Sequence, residues 1–188
     1  MRDAISALLQ QINCRGREPW LVAIDGRCAA GKTTLARGLQ EEIDCHVIHM
    51  DDFFLRPEQR TKERLLEPGG NVDYERVKEE VLLPLSRGRT FSYRPFDCRR
   101  MALSSPITVK PKGVTVVEGS YSCHPELWDF YDMRVFLNVE PEEQLRRIMQ
   151  RNGEEAAAIF RERWIPLEER YFTACRIRER CDFLLKCI

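Results

Sequence analysis

Eight consecutive residues, Gly26-Arg27-Cys28-Ala29-Ala30-Gly31-Lys32-Thr33, fit the pattern GxxxxGK[ST]. In such a turn the glycines let backbone N–H groups wrap a phosphate, and the helix opening behind them adds a favourable dipole. Lys32 is then placed to reach the β- and γ-phosphates, and the Thr33 hydroxyl to ligate Mg²⁺. With Thr34, which follows, these residues make up the expected ATP-binding set. The pattern specifies a nucleoside triphosphate and leaves the reaction open. A GTPase would add a guanine-reading NKxD-type segment, and the strand end Phe136-Leu137-Asn138-Val139-Glu140 carries none. A small-molecule kinase, another ATP hydrolase and a nucleotide-gated binding protein remain.

Phosphoryl transfer needs one acid to help hold Mg²⁺ and another to accept the proton of the attacking hydroxyl. Asp51 and Asp52 directly follow the apolar run Cys45-His46-Val47-Ile48-His49-Met50, and Glu118 directly follows Val114-Thr115-Val116-Val117. Glu118 suits the metal, together with Thr33. Asp51 suits the base and stands close enough in the pattern to join the metal set. His49 reads as a buried, hydrogen-bonded core histidine, and His124 as a candidate at the acceptor side. Cys28, inside the loop, reads as a small-residue filler that is open to oxidation.

These residues need strands and helices to bring them together. Trp20–Ile24, Cys45–Met50, Val114–Val117, Met133–Val139 and Cys181–Lys186 read as strands, separated by helical patterns at Lys32–Ile43, Asp73–Leu83, Pro141–Asn152 and Glu154–Arg180. A further helical stripe covers residues 3–12. Pro84 is expected to stop one helix and Pro166 to interrupt another. Residues 55–71, with Pro57, Pro68 and Gly69-Gly70, read as a long irregular segment. Strands alternating with helices imply a parallel sheet covered on both faces, with ligands at the carboxyl ends of its strands.

The phosphate loop, Met50-Asp51-Asp52-Phe53-Phe54, Asn71-Val72-Asp73-Tyr74 and Val117-Glu118-Gly119-Ser120 together resemble the uridine kinase family, which stands with phosphoribulokinase, pantothenate kinase and nicotinamide riboside kinase. The resemblance runs from about residue 20 to 185. It implies a P-loop NTPase three-layer α/β sandwich with five parallel strands, the phosphate-loop strand in the middle and a helical lid. It also implies that Asp51 is the catalytic base, that Asp73 binds the ribose hydroxyls of a nucleoside, and that Glu118 is the metal-associated acid. On the helix Pro141–Asn152, Arg147 and Arg151 share a face; the resemblance makes them lid arginines that close over the triphosphate. Uridine kinases carry Tyr-Asp-Phe followed by a histidine where this chain has Tyr93-Arg94-Pro95-Phe96-Asp97-Cys98-Arg99-Arg100, whereas Asp51–Phe54 and Trp164-Ile165-Pro166-Leu167 are similar to nicotinamide riboside kinase. Tyr93, Phe96, Tyr121 and Trp164 are the expected walls of an acceptor pocket. The implied activity is an ATP- and Mg²⁺-dependent kinase acting on a hydroxyl of a small metabolite, a nucleoside 5′-OH first. Nicotinamide riboside, pantothenate or a sugar are alternatives, as is an ATP-binding regulatory module without turnover.

The length of 188 residues fits one domain, 1–188. Thirty basic against thirty acidic residues give no net field to draw nucleic acid. No apolar run approaches the length of a membrane span, and the start, with Asp3 breaking in early, does not read as a signal peptide. The eight cysteines lack any CxxC pair, so free thiols of a cytoplasmic protein are expected, with no zinc site. Oligomeric state leaves no trace in the sequence.

Overall fold

The computed structural model describes residues 2–14 and 20–186; Met1, Pro19 and Cys187, the last of the eight cysteines, lie outside them. In chain order the strands are β1 (Trp20–Gly26), β2 (Cys45–His49), β3 (Phe91–Tyr93), β4 (Phe96–Asp97), β5 (Ala102–Leu103), β6 (Ile107–Val109), β7 (Val114–Glu118), β8 (Met133–Asn138) and β9 (Phe183–Lys186). Five of them form one sheet in the order β2-β7-β1-β8-β9, with every pairing parallel. The helices are α1 (Arg2–Cys14), α2 (Lys32–Glu42), α3 (Lys62–Leu66), α4 (Tyr74–Arg76), α5 (Leu83–Ser86), α6 (Pro141–Asn152), α7 (Glu154–Ile159), α8 (Ile165–Ala174) and α9 (Ile177–Arg180).

Alternation along each strand sends neighbours to opposite faces. Leu21 and Ala23 join one apolar cluster with Val81, Leu82, Tyr171 and Phe172; Val22 and Ile24 join a second with Leu8, Leu35 and Leu39. Both faces are thus covered by helices, the arrangement that an all-parallel sheet demands. The central β1 is buried along its whole length. Register then delivers the chemistry, since Ile24 lies opposite Glu118, and Glu118 opposite His49 on β2. Gly26 lies opposite Leu137. Among the described residues no helix is long and apolar enough to cross a membrane, and the seven described cysteines are free thiols.

Four local expectations need correction. The segment 55–71 is not irregular throughout, because Thr61 caps α3, its hydroxyl accepting from the Arg64 amide at 3.1 Å. The helix expected to stop at Pro84 runs on to Ser86 through a π turn at Val77–Leu82. Pro166 likewise does not break its helix, since a π turn at Phe160–Trp164 precedes it. A proline clashes with the carbonyl four residues back, and a wider turn just upstream relieves that clash. The stretch between residues 87 and 113, where no element was expected, folds into two antiparallel ribbons, β3 with β6 and β4 with β5. Strands of two or three residues are too short for an alternation pattern to register.

Candidate active site

The loop from Gly26 to Thr33 joins β1 to α2. Gly26 sits at φ +134°, and a Cβ there would lie 2.1 Å from the Leu137 carbonyl oxygen, so no other residue fits. Gly31 and Ala29 also have positive φ, 95° and 59°. This backbone turns successive N–H groups toward one point, a nest for an anion. Lys32 is held ready, its ammonium donating to the carbonyls of Gly26 (2.7 Å) and Arg27 (2.9 Å) and to Ser120 Oγ (3.2 Å). Arg27 points away from the nest, donating to the Val139 carbonyl (2.9 Å) and pairing with Glu169 (2.7 Å).

Glu118 Oε1 accepts from Thr33 Oγ1 (3.0 Å) and contacts His49 Nδ1 (2.6 Å). That contact raises the His49 pKa against the effect of burial. His49 is therefore not the buried core histidine expected; 45% of its side chain is exposed at the site edge. Asp51 opens to the cleft, and the surrounding protein raises its pKa through desolvation, with Glu118 adding to the rise and Lys32 and Arg151 opposing it. Asp52 turns aside to accept from Tyr93 Oη at 3.2 Å. Among the described residues no group of three or more His, Cys, Asp or Glu side chains could hold a metal on its own. The Thr33–Glu118 pair with Asp51 nearby fits Mg²⁺, which takes few protein ligands and completes its shell with phosphate oxygens and water.

A cavity of about 670 Å³ collects these groups. Its lining comes from the phosphate loop and the start of α2 (Cys28, Ala29, Gly31, Lys32, Thr33, Thr34), from Glu118, Gly119, Ser120 and Tyr121 after β7, from Asp51, Phe54, Arg60, Asn71, Cys98 and Met101, and from Arg147, Arg151, Phe160, Trp164 and Glu168. Arg147 reaches back from α6 to the Ala29 carbonyl (3.3 Å) and pairs with Glu143 (2.6 Å). Arg151 donates to Asn152 Oδ1 (2.8 Å). Gly153, at φ +84°, follows as the joint between α6 and α7.

Three expected acceptor residues do not line this cavity. Asp73 is buried, accepting from Gln59 Nε2 (2.8 Å) and capping α4 through the Arg76 amide (3.2 Å). Tyr93 is buried against Phe53, with ring centroids 5.2 Å apart, and Phe96 is buried beneath Arg60. Cys98 and Met101, from the turn between β4 and β5, face the cavity instead. Phe54 lines it too. His124 lies outside the cavity, stacked between Tyr74 and Tyr171. Burial pushes the Cys28 thiol up to about 12, with Glu168 adding to the rise, so it is a filler and not a ready thiolate.

Two acids passed over in the sequence organise the loop. Asp25, fully buried, accepts from the amides of Gly26 (2.7 Å), Tyr121 (3.1 Å) and Cys123 (2.9 Å) and from Tyr171 Oη (2.8 Å). Burial outweighs these donors and pushes its pKa up to about 6. Glu168 on α8 accepts from the Cys28 amide (3.0 Å) and from Ser120 Oγ (2.6 Å), so a chain of contacts links α8 through Ser120 to Lys32. Glu168 shares the buried face of its helix with Tyr171 and Phe172. A carboxylate at the i, i+3, i+4 spacing of an apolar stripe is a signal that the sequence did offer.

The central β1 with the phosphate loop at its end, Glu118 at the end of the adjacent β7 and Asp51 just after β2, the next strand out, define the fold as that of a P-loop kinase. No protein-family model matches the chain. It is 26% identical to a uridine kinase of Ligilactobacillus salivarius (strain UCC118), over 75% of this chain and 70% of that protein. A structure described as a possible uridine kinase from Bacillus stearothermophilus superposes with a TM-score of 0.74 at 21% identity, covering 98% of both chains. A Thermus thermophilus protein matches at a TM-score of 0.51 and 18% identity, covering 90% of this chain and 89% of that one. Within that class, the chain is thus similar in sequence to a protein named uridine kinase and in fold to one described as a possible uridine kinase.

Proposed function

We propose that the protein transfers the γ-phosphoryl group of ATP to a hydroxyl of a small metabolite, a nucleoside 5′-OH in the first instance. The observation that carries this reading is the convergence of Lys32, the Thr33–Glu118 pair and Asp51 on one cavity. Lys32 and the loop amides bind the phosphates. Thr33 and Glu118, with Asp51 beside them, hold Mg²⁺, which when bound neutralises charge on the phosphate oxygens. Asp51 accepts the proton of the attacking hydroxyl; a carboxylate whose pKa is raised by desolvation is a better base than a solvated one. Arg147 and Arg151 lie on the cavity wall where transferred charge is to be neutralised, and α6 and α7 around Gly153 are the lid that excludes water. Asp73, Tyr93, Phe96 and Tyr121 remain the proposed acceptor residues. For Asp73, Tyr93 and Phe96 this role requires the segments that carry them to move on substrate binding.

The test is ADP release with Mg·ATP across nucleosides, nicotinamide riboside, pantothenate and simple sugars, run beside Asp51→Asn. One acceptor should stimulate the wild type, and the variant should turn it over on the order of a hundredfold more slowly with ATP affinity retained. Equal turnover by the two proteins would remove Asp51 from the base role.

A further inference from the structure

The cavity wall includes a solvent-exposed cation, Arg60, that the reaction scheme leaves idle. Arg60 is set by its backbone, whose N–H donates to the Pro57 carbonyl (3.2 Å), and by its side chain, whose Nε donates to the Leu55 carbonyl (3.0 Å). The guanidinium stands 5.8 Å from the centroid of the Phe96 ring. Its two terminal nitrogens have no partner among the described residues, yet Arg60 lines the cavity with Asp51, Asn71, Cys98 and Met101. Of the other two cavity arginines, Arg147 is engaged by Glu143 and Ala29, whereas Arg151 is held at Nε alone, by Asn152. An arginine anchored at Nε with its terminal fork open is pre-organised for a planar oxyanion.

Around it, Cys98 and Met101 offer only weak hydrogen-bonding groups, so they meet an acceptor through shape and not through polar reading. Arg99 and Arg100 are both exposed on the turn that carries Cys98 and Met101. Asp51 lines the same cavity and opposes a doubly charged group such as a phosphate monoester. A single negative charge on a flat group satisfies both constraints.

We infer that the acceptor is an alcohol bearing a carboxylate, and that Arg60 is the residue that reads it. This rests on the phosphoryl-transfer reading above and narrows its substrate class. The test uses three pairs that differ at the charged group: uridine and orotidine, nicotinamide riboside and nicotinic acid riboside, panthenol and pantothenate. Values of kcat/KM from ADP release are compared for wild type, Arg60→Gln and Arg60→Lys. In at least one pair the acid should be preferred by roughly tenfold or more, as a charge-assisted contact allows. Arg60→Gln should collapse that preference by lowering kcat/KM for the acid far more than for its neutral partner, and Arg60→Lys should restore it in part. A preference for the neutral members, or an equal loss for both members of the pair, overturns the inference while leaving the kinase reading intact. Failure of all six compounds while a simple sugar or another neutral nucleoside stimulates ADP release overturns the inference alone; failure of the whole panel, in a protein that still binds ATP, overturns both.

Discussion

Acid should loosen this protein through one ring. His124 is 3% exposed and sits in a stack with Tyr74 (4.0 Å between centroids) and Tyr171 (6.3 Å), capped on the far side of Tyr74 by the Arg64 guanidinium (4.1 Å). Its Nδ1 accepts from the Glu126 amide at 3.2 Å, while Nε2 is buried without a partner among the described residues. Burial, and then the Arg64 charge, lower its pKa from 6.5 to about 4. The unfolded chain takes up this proton below pH 6.5, whereas the native protein refuses it until about pH 4. The stabilising contribution is thus complete above pH 6.5 and is lost as pH falls toward 4. At about 1.4 kcal/mol per pH unit, the loss comes to about 3 kcal/mol, a large part of a small domain's stability. His124→Phe keeps a flat ring in the stack and removes the titration. Urea unfolding of both proteins from pH 7.5 to 4 should show the wild type losing about 3 kcal/mol more than the variant. Parallel curves would refute the assignment. The functional link is close by, because a Cβ on Gly69 would lie 2.7 Å from the His124 ring, and two residues on Asn71 enters the cavity.

Substitutions at two further positions test the phosphate loop. Lys32→Ala should lower kcat/KM by about a hundredfold or more for every acceptor, since it removes a donor aimed at transferred charge; full activity in the ADP-release assay would undercut the loop's assignment. Glu168→Ala should cost about 2 kcal/mol in urea unfolding by stranding the Cys28 amide and the Ser120 hydroxyl. Glu168→Gln, whose carbonyl still accepts, should cost less than half as much, and equal losses would show that the acceptor role is not what matters.

The sheet was legible in the sequence because each of its five strands is a run of apolar residues with turn residues beside it, and the chemical groups sit where those runs end. Asp51 and Glu118 came from that rule, and Lys32 and Thr33 from the glycine-spaced pattern that follows β1. The acceptor end was not legible in the same way. Its wall depends on which side of a two-residue strand faces inward, and the short β4–β5 ribbon presents Cys98 and Met101 while burying Phe96. Asp25 was hidden for another reason: a lone acid at the end of an apolar run looks solvated until the fold brings four donors to it. Asp51 and Asp52 are indistinguishable by sequence, and only the tight turn after β2, which hands Asp52 to Tyr93, separates them.

The two wide turns upstream of Pro84 and Pro166 make residue count a structural quantity. Each contains one residue more than an α turn, which rotates everything beyond it by about 100° around the helix axis. The turn at Phe160–Trp164 therefore sets the phase of α8, and with it the direction in which Glu168, Glu169 and Tyr171 point. Removing any one residue from that turn would leave composition and hydropathy almost untouched. It would nonetheless swing all three contacts away from the phosphate loop at once, as no single side-chain replacement in the same segment can.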